Sequence, residues 1–189
     1  MYLMLLGLVV FIGAHVFTTM RARRAAVIAK IGAGPYKGLY SLVSLAGIVL
    51  VAWGYGEWRA AGPAQLWIPP VWTRHLALTL MLAASILFVA AYIPSHIRAR
   101  LKHPMLAGIK IWALAHLIAN GDVATIVLAL AVLAWAVYAR ISMRARDEPP
   151  KPAPAGWTGD AVAVVAGLVL FLVLAYLFHP YVIGVPVMP

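Results

Sequence analysis

The sequence predicts an all-α polytopic membrane protein: a bundle of six transmembrane helices with both termini on the periplasmic side. Three observations predict it. The 189-residue chain is 65% hydrophobic, with a mean hydropathy of +0.94, more apolar than a soluble domain of that size. Six apolar stretches divide it, at 2–20, 38–56, 73–94, 103–120, 122–139 and 159–178. Each is roughly 18–22 residues long, enough to cross ~30 Å of hydrocarbon at ~1.5 Å per residue. The basic residues between the stretches fall almost entirely on one side. Connections are short, so a single transmembrane domain over 1–189 is expected, with no soluble domain.

Charge gives the orientation. Arg21, Arg23, Arg24, Lys30 and Lys37 follow the first span. Arg98, Arg100 and Lys102 follow the third, and Arg140, Arg144, Arg146 and Lys151 follow the fifth. The opposite side carries Arg59 and Arg74. Twelve against two places the basic side in the cytoplasm, and a bacterial inner membrane is the expected location. The net charge of +10 then reflects topology and attraction to anionic lipid, not nucleic-acid binding. Span 1 is not a cleavable signal peptide, because its positive charges follow the apolar run.

Span 1 ends at the Arg21–Arg24 cluster. Residues 21–37 read as a basic cytoplasmic segment punctuated by Gly32, Gly34 and Pro35. Span 2 closes on Trp53, Tyr55 and Trp58, an interfacial aromatic belt. The next loop, Leu66-Trp67-Ile68-Pro69-Pro70-Val71-Trp72, is broken by proline and reads as lying in the headgroup layer, or as a lid over an outward cavity. Span 3 stops at Pro94. Span 4 starts at His103-Pro104, with proline in the first turn, where its missing N–H costs nothing. Asn120-Gly121-Asp122 is a tight hairpin that makes spans 4 and 5 antiparallel neighbours. Residues 147–155 form a Pro-rich cytoplasmic linker, and span 6 closes on His179-Pro180. The chain has no internal repeat of the kind that inverted-repeat transporters carry.

Chemistry-bearing residues are few. There is no cysteine, which excludes disulfides, thiolate zinc and iron–sulfur sites. The five carboxylates Glu57, Asp122, Asp147, Glu148 and Asp160 lie in loops or at span ends, which argues against carboxylate-paired hydrolysis. Six histidines remain. His75, His116 and His179 fall in the outer half by this topology, and His15, His96 and His103 in the inner half. His15 and His116 are well inside spans, where an imidazole needs a hydrogen-bond acceptor, a metal or a haem. Without thiolate, haem b on histidine axial ligands is the sharpest hypothesis, with a satisfied core histidine as the alternative. Met105, Trp112, His116 and Asn120 form one stripe of span 4, and Leu8, Phe11 and His15 share a face of span 1. Lys110 is the cation within a span; it either snorkels or faces the interior. Counting helical rise from the outer surface puts His15 roughly 20 Å deep and His116 roughly 7 Å deep. By depth His15 is closer to His103, and His116 to His75 or His179.

Several segments together resemble the NnrU family of bacterial membrane proteins. They are the Gly7–His15 run, Tyr36-Lys37-Gly38-Leu39-Tyr40, Leu66-Trp67-Ile68-Pro69-Pro70, Arg74-His75-Leu76, the run from His103-Pro104-Met105 through Trp112 and Ala115-His116 to Asn120-Gly121, and His179-Pro180 with Gly184. The resemblance implies an association with denitrification and nitric oxide metabolism. The family is also similar to the plastid zeta-carotene isomerase, a membrane haem b enzyme. By that motif similarity the haem-iron ligands are His15 and His116, with His103 and His179 of the His-Pro motifs as alternatives; the span 4 stripe adds Trp112 and Asn120 as cofactor contacts, and depth adds His75 as an alternative.

Three functions compete. One is a haem b protein with redox-regulated, isomerase-like activity on a lipophilic small molecule. Another is a cofactor-free accessory protein for nitrite or nitric oxide reductase, docking through small residues such as Gly7, Gly13, Gly47 and Gly167. The third is a small transporter, disfavoured by the lack of carboxylates inside the spans.

Overall fold

The computed structural model describes residues 1–144 and 152–187. Eight α-helices form among them. They are α1 (Tyr2–Thr19), α2 (Arg21–Ile31), α3 (Ala33–Ala60), α4 (Val71–Ala90), α5 (His96–Leu101), α6 (Pro104–Ala119), α7 (Val123–Arg144) and α8 (Thr158–Val173). A π-helix, Leu174–Ile183, continues α8. No strand forms among the described residues. Part of the expected linker, 147–151, lies outside them, as do Arg146 and Lys151.

Five helices are long and apolar enough to cross a membrane: α1, α3, α4, α7 and α8 with its π-helical extension. The sixth expected span is shorter than the sequence suggested. α6 has 16 residues, because Pro104 opens it and Asn120 leaves it in an extended conformation. The segment 21–37 is largely helical. Its apparent breakers sit where helices tolerate them. Gly32 turns the chain at φ 86, and Pro35 lies in the first turn of α3. α3 therefore overshoots the apolar stretch at both ends, since hydropathy marks the bilayer and not the helix. The 120–122 hairpin forms as expected, and α6 packs against α7. Asp122 caps α7, taking the Thr125 amide on Oδ1 at 2.9 Å and the Thr125 hydroxyl on Oδ2 at 2.7 Å. The 61–70 loop is pinned to this hairpin by Leu66 N–H to Gly121 O, 2.8 Å, and Val123 N–H to Ala64 O, 3.0 Å.

Across the bundle the packing order is α3, α1, α7, α6, α4, α8. The fully buried positions are mostly alanine, as at Ala84, Ala113, Ala124, Ala129, Ala136 and Ala163, while Val9, Leu42 and Val165 stay exposed. This inversion suits a lipid surround: small residues let backbones approach, and large aliphatic ones face acyl chains. Three of the four small residues considered for partner docking are used inside the chain. Gly7 abuts the α3 backbone, Gly47 meets Phe11, and Gly167 meets Ile86. Gly13 faces open space.

Asp160, near the start of α8, holds α5 in place. Its carboxylate accepts the amides of His96 at 3.1 Å and Ile97 at 3.0 Å, and the His96 ring nitrogen Nδ1 at 2.8 Å. Trp157 stacks on His96, with ring centres 4.2 Å apart. The six-residue helix α5 is too short to hold itself. Asp160→Ala is therefore expected to fray α5 alone: amide exchange at His96 and Ile97 should rise about tenfold or more, with the long helices unaffected.

Candidate cofactor-binding site

Two half-open cavities are cut into the bundle. The first, of about 470 Å³, is lined by residues of α1, α3, α4, α6, α7, α8 and the π-helix, including His116, His179, Arg59, Arg74, Tyr55 and Asn120. The second, of about 720 Å³, lies toward the opposite end and includes His15, His103, Lys102, Trp135, Thr18 and Thr19. Phe11, Trp112, Val132 and Leu174 line both and form the wall between them.

Three of the cavity-lining histidines are held the same way. The Nδ1 atoms of His15 and His116 lie 2.8 Å from the carbonyl oxygens of Phe11 and Trp112, one turn earlier. His179 Nδ1 lies 2.8 Å from the Leu174 carbonyl, five residues earlier. A carbonyl only accepts, so each Nδ1 carries the proton and each Nε2 keeps its lone pair. That is the arrangement metal-bound histidines use: the second nitrogen fixes tautomer and ring orientation. The five-residue spacing at His179 is a property of the π-helix, a rare element concentrated at functional sites. Its wide turn also accommodates Pro180, which would break an α-helix there.

His116 and His179 come together. Their ring centres are 6.3 Å apart and their planes are 23° from parallel. Trp112 packs against His116 at 4.4 Å, and Asn120 donates to the His116 carbonyl at 3.0 Å. His15 instead sits in an aromatic cage of Phe11 at 4.2 Å, Trp135 at 5.0 Å and Tyr40 at 5.4 Å. His103 lines the same cavity as His15. His75 is exposed and lines neither. The expected span 4 stripe is real, and Trp112 is its pivot: Met105 faces the His15 cavity, while His116 and Asn120 face the other. Residues 66–72 line neither cavity.

Sequence reasoning passed over the two arginines. Arg59 and Arg74, the two cations counted on the sparsely charged side, both line the His116 cavity. Among the described residues the one ion pair is His96–Asp160, so neither arginine is held by a carboxylate. Arg59 lies over the Tyr55 ring at 5.9 Å. Tyr55 is itself fixed. The single Thr125 hydroxyl proton goes to Asp122, so the Tyr55 hydroxyl donates to Thr125 Oγ1 at 2.8 Å. The two outward cations of the charge count were the signal for this feature.

The arrangement suits a flat, largely apolar molecule with an electrophilic centre and an acidic edge. Among the described residues no group of three or more His, Cys, Asp or Glu could hold a bare metal ion. A haem takes two axial ligands and supplies its other four donors itself.

Fold and cavities together define a multi-pass helical membrane protein with histidine-lined cavities. The chain belongs to the NnrU protein family, whose family model matches residues 3–187. No curated protein and no solved structure matches it.

Proposed function

We propose that this chain is a haem b protein of the bacterial inner membrane, with His116 and His179 as the axial pair. In this reading α6 also crosses, giving six spans with both termini in the periplasm. The His116 cavity then faces outward and the His15 cavity faces the cytoplasm.

The observation that carries the reading is the spacing of the two rings. An imidazole nitrogen stands about 1.2 Å from its ring centre and metal–nitrogen bonds run about 2.0 Å, so two imidazoles holding one iron from opposite sides would place their centres roughly 6.4 Å apart. The ring centres of His116 and His179 are 6.3 Å apart, close to that separation, and both Nδ1 atoms are held by backbone carbonyls, which leaves Nε2 on each ring as the nitrogen with a free lone pair. The cavity size suits a cofactor. Arg59 and Arg74 supply charge for two carboxylates at its rim, and guanidinium is the group best shaped for them. Bound there, haem b supplies a one-electron iron couple. The chain's own residues would hold it: the imidazoles of His116 and His179, oriented by backbone carbonyls, would hold the iron, and Arg59 and Arg74 would meet the carboxylates. An association with denitrification, and an isomerase-like action on a lipophilic substrate, rest on the family resemblance. The accessory reading loses support from packing, since Gly7, Gly47 and Gly167 are occupied within the chain.

The test is a reduced-minus-oxidised spectrum and a pyridine haemochrome assay on gently solubilised protein. One haem b per chain, with the Soret shift of a six-coordinate iron, is the expected result. A folded, haem-supplemented preparation without haem overturns the proposal. Arg59→Gln with Arg74→Gln is expected to keep the six-coordinate spectrum and release haem to apomyoglobin faster, by about tenfold or more, because two charge-assisted hydrogen bonds are lost.

A further inference from the structure

The His15 cavity is left unused by that proposal. We infer that it is a second binding site, for the hydroxyl-bearing aromatic head of a membrane lipid of the hydroquinone class. The inference rests on the two-site reading above, in which His15 is not an iron ligand.

The chemistry of the ligand follows from the cavity. Its walls are aromatic, with Phe11, Phe88, Trp112 and Trp135 lining it. Such walls favour a flat ring, which can stack or meet them edge-on. The two threonine hydroxyls near His15 are already committed. Thr18 donates to the His15 carbonyl at 2.7 Å, and Thr19 donates to the Val16 carbonyl at 2.7 Å. Neither has a proton left for a ligand. His15 gives its Nδ1 proton to Phe11, so the neutral ring presents the cavity with a lone pair on Nε2. An acceptor facing a largely aromatic, half-open cavity is best met by a donor on the ligand. The matching ligand therefore combines a ring with a hydroxyl, which a hydroquinone does and its oxidised quinone does not. Lys102 and His103 line the same cavity at its basic end, which keeps it from being a closed apolar void. An acyl chain leaves the acceptor unmet, and a metal ion finds no third protein donor among the described residues. The shared wall of Phe11, Trp112, Val132 and Leu174 sets the ring beside the His116–His179 site. A membrane-soluble reductant belongs next to a haem.

The probe is tritiated decyl-substituted dimethoxy-methyl-hydroquinone, kept reduced with ascorbate and titrated onto the protein in lipid nanodiscs. Wild type is expected to bind one per chain, saturably, and the quinone form about tenfold more weakly, the worth of one well-made hydrogen bond. His15→Phe keeps the ring packing and removes the acceptor; it should lose the same factor for the hydroquinone and keep full haem content. His15→Gln restores an acceptor oxygen and should recover part of the affinity. The proposal is overturned by non-saturable uptake in wild type, by equal binding of both redox forms, or by unchanged affinity in His15→Phe. Loss of haem in a folded His15→Phe also overturns it, by assigning His15 to the iron. The haem reading fails separately, through the wild-type spectrum, and leaves the titration readable.

Discussion

His179→Ala and His116→Ala are each expected to abolish stable haem retention, while His15→Phe retains a full complement. The size of the effect follows from the geometry. Removing the groups that merely orient a metal-bound histidine costs about 10–100-fold in affinity, and these substitutions remove the ligand itself. Each should fall by more than about 100-fold, and any residual haem should change from six-coordinate to five-coordinate in its absorption spectrum. The losses should not add, because one iron is shared and the second substitution removes an interaction the first has already broken. The pattern across three histidines discriminates between two arrangements. The pair His15 and His116, implied by family resemblance, requires His15→Phe to lose haem and His179→Ala to keep it. The pair His116 and His179, whose ring centres lie 6.3 Å apart, requires the reverse. Haemochrome content per folded chain in the three variants decides between them.

Much of the scaffold is written in the hydropathy. Apolar runs marked all the long helices, and the hairpin at Asn120-Gly121-Asp122 followed from turn chemistry alone. The boundaries were less legible, because polar ends do not stop a helix. α3 runs on through Lys37 and Glu57, and Pro180 lies within the last helical segment and does not end it. Pro180 shows why: a proline reads as a stop only if the surrounding backbone is α-helical, and local sequence does not announce a π-helix. The site was half legible. Chemistry singled out the histidines, and the depth estimate grouped His15 with His103 and left His116 with His75 or His179. The choice between His75 and His179 was not in the sequence. It depends on which face of α4 turns outward and on the π-helix that rotates His179 toward α6. Arg59 and Arg74 were visible as charges, yet their convergence on one cavity is a fact of helix packing.

Gly7→Leu should prevent the first and third helices from docking. The expectation comes from a close backbone approach between α1 and α3. A Cβ built on Gly7 stands 2.5 Å from the Val51 amide nitrogen and 2.8 Å from the Gly47 carbonyl oxygen. Both atoms belong to backbone, so no rotamer change relieves the overlap; the helices must separate. Gly47 answers from α3, where a Cβ meets Phe11 at 2.8 Å. A single methyl at Gly7 should cost about 1–3 kcal/mol by overpacking, and an isobutyl group should exceed what such an interface tolerates. Phe11 and His15 lie on the same helix, so displacing α1 also opens the wall between the cavities. Gly13 is the control. A Cβ there meets nothing within 4 Å, so Gly13→Ala should be neutral or stabilise by about 0.5–1 kcal/mol through helix propensity. Both glycines lie in one span and look equivalent as small residues in a membrane helix. Unfolding of the purified variants in mixed micelles separates them: Gly13→Ala should match or exceed wild type, and Gly7→Leu should show no cooperative transition. Wild-type stability in Gly7→Leu would mean that α1 does not pack on α3 at this contact.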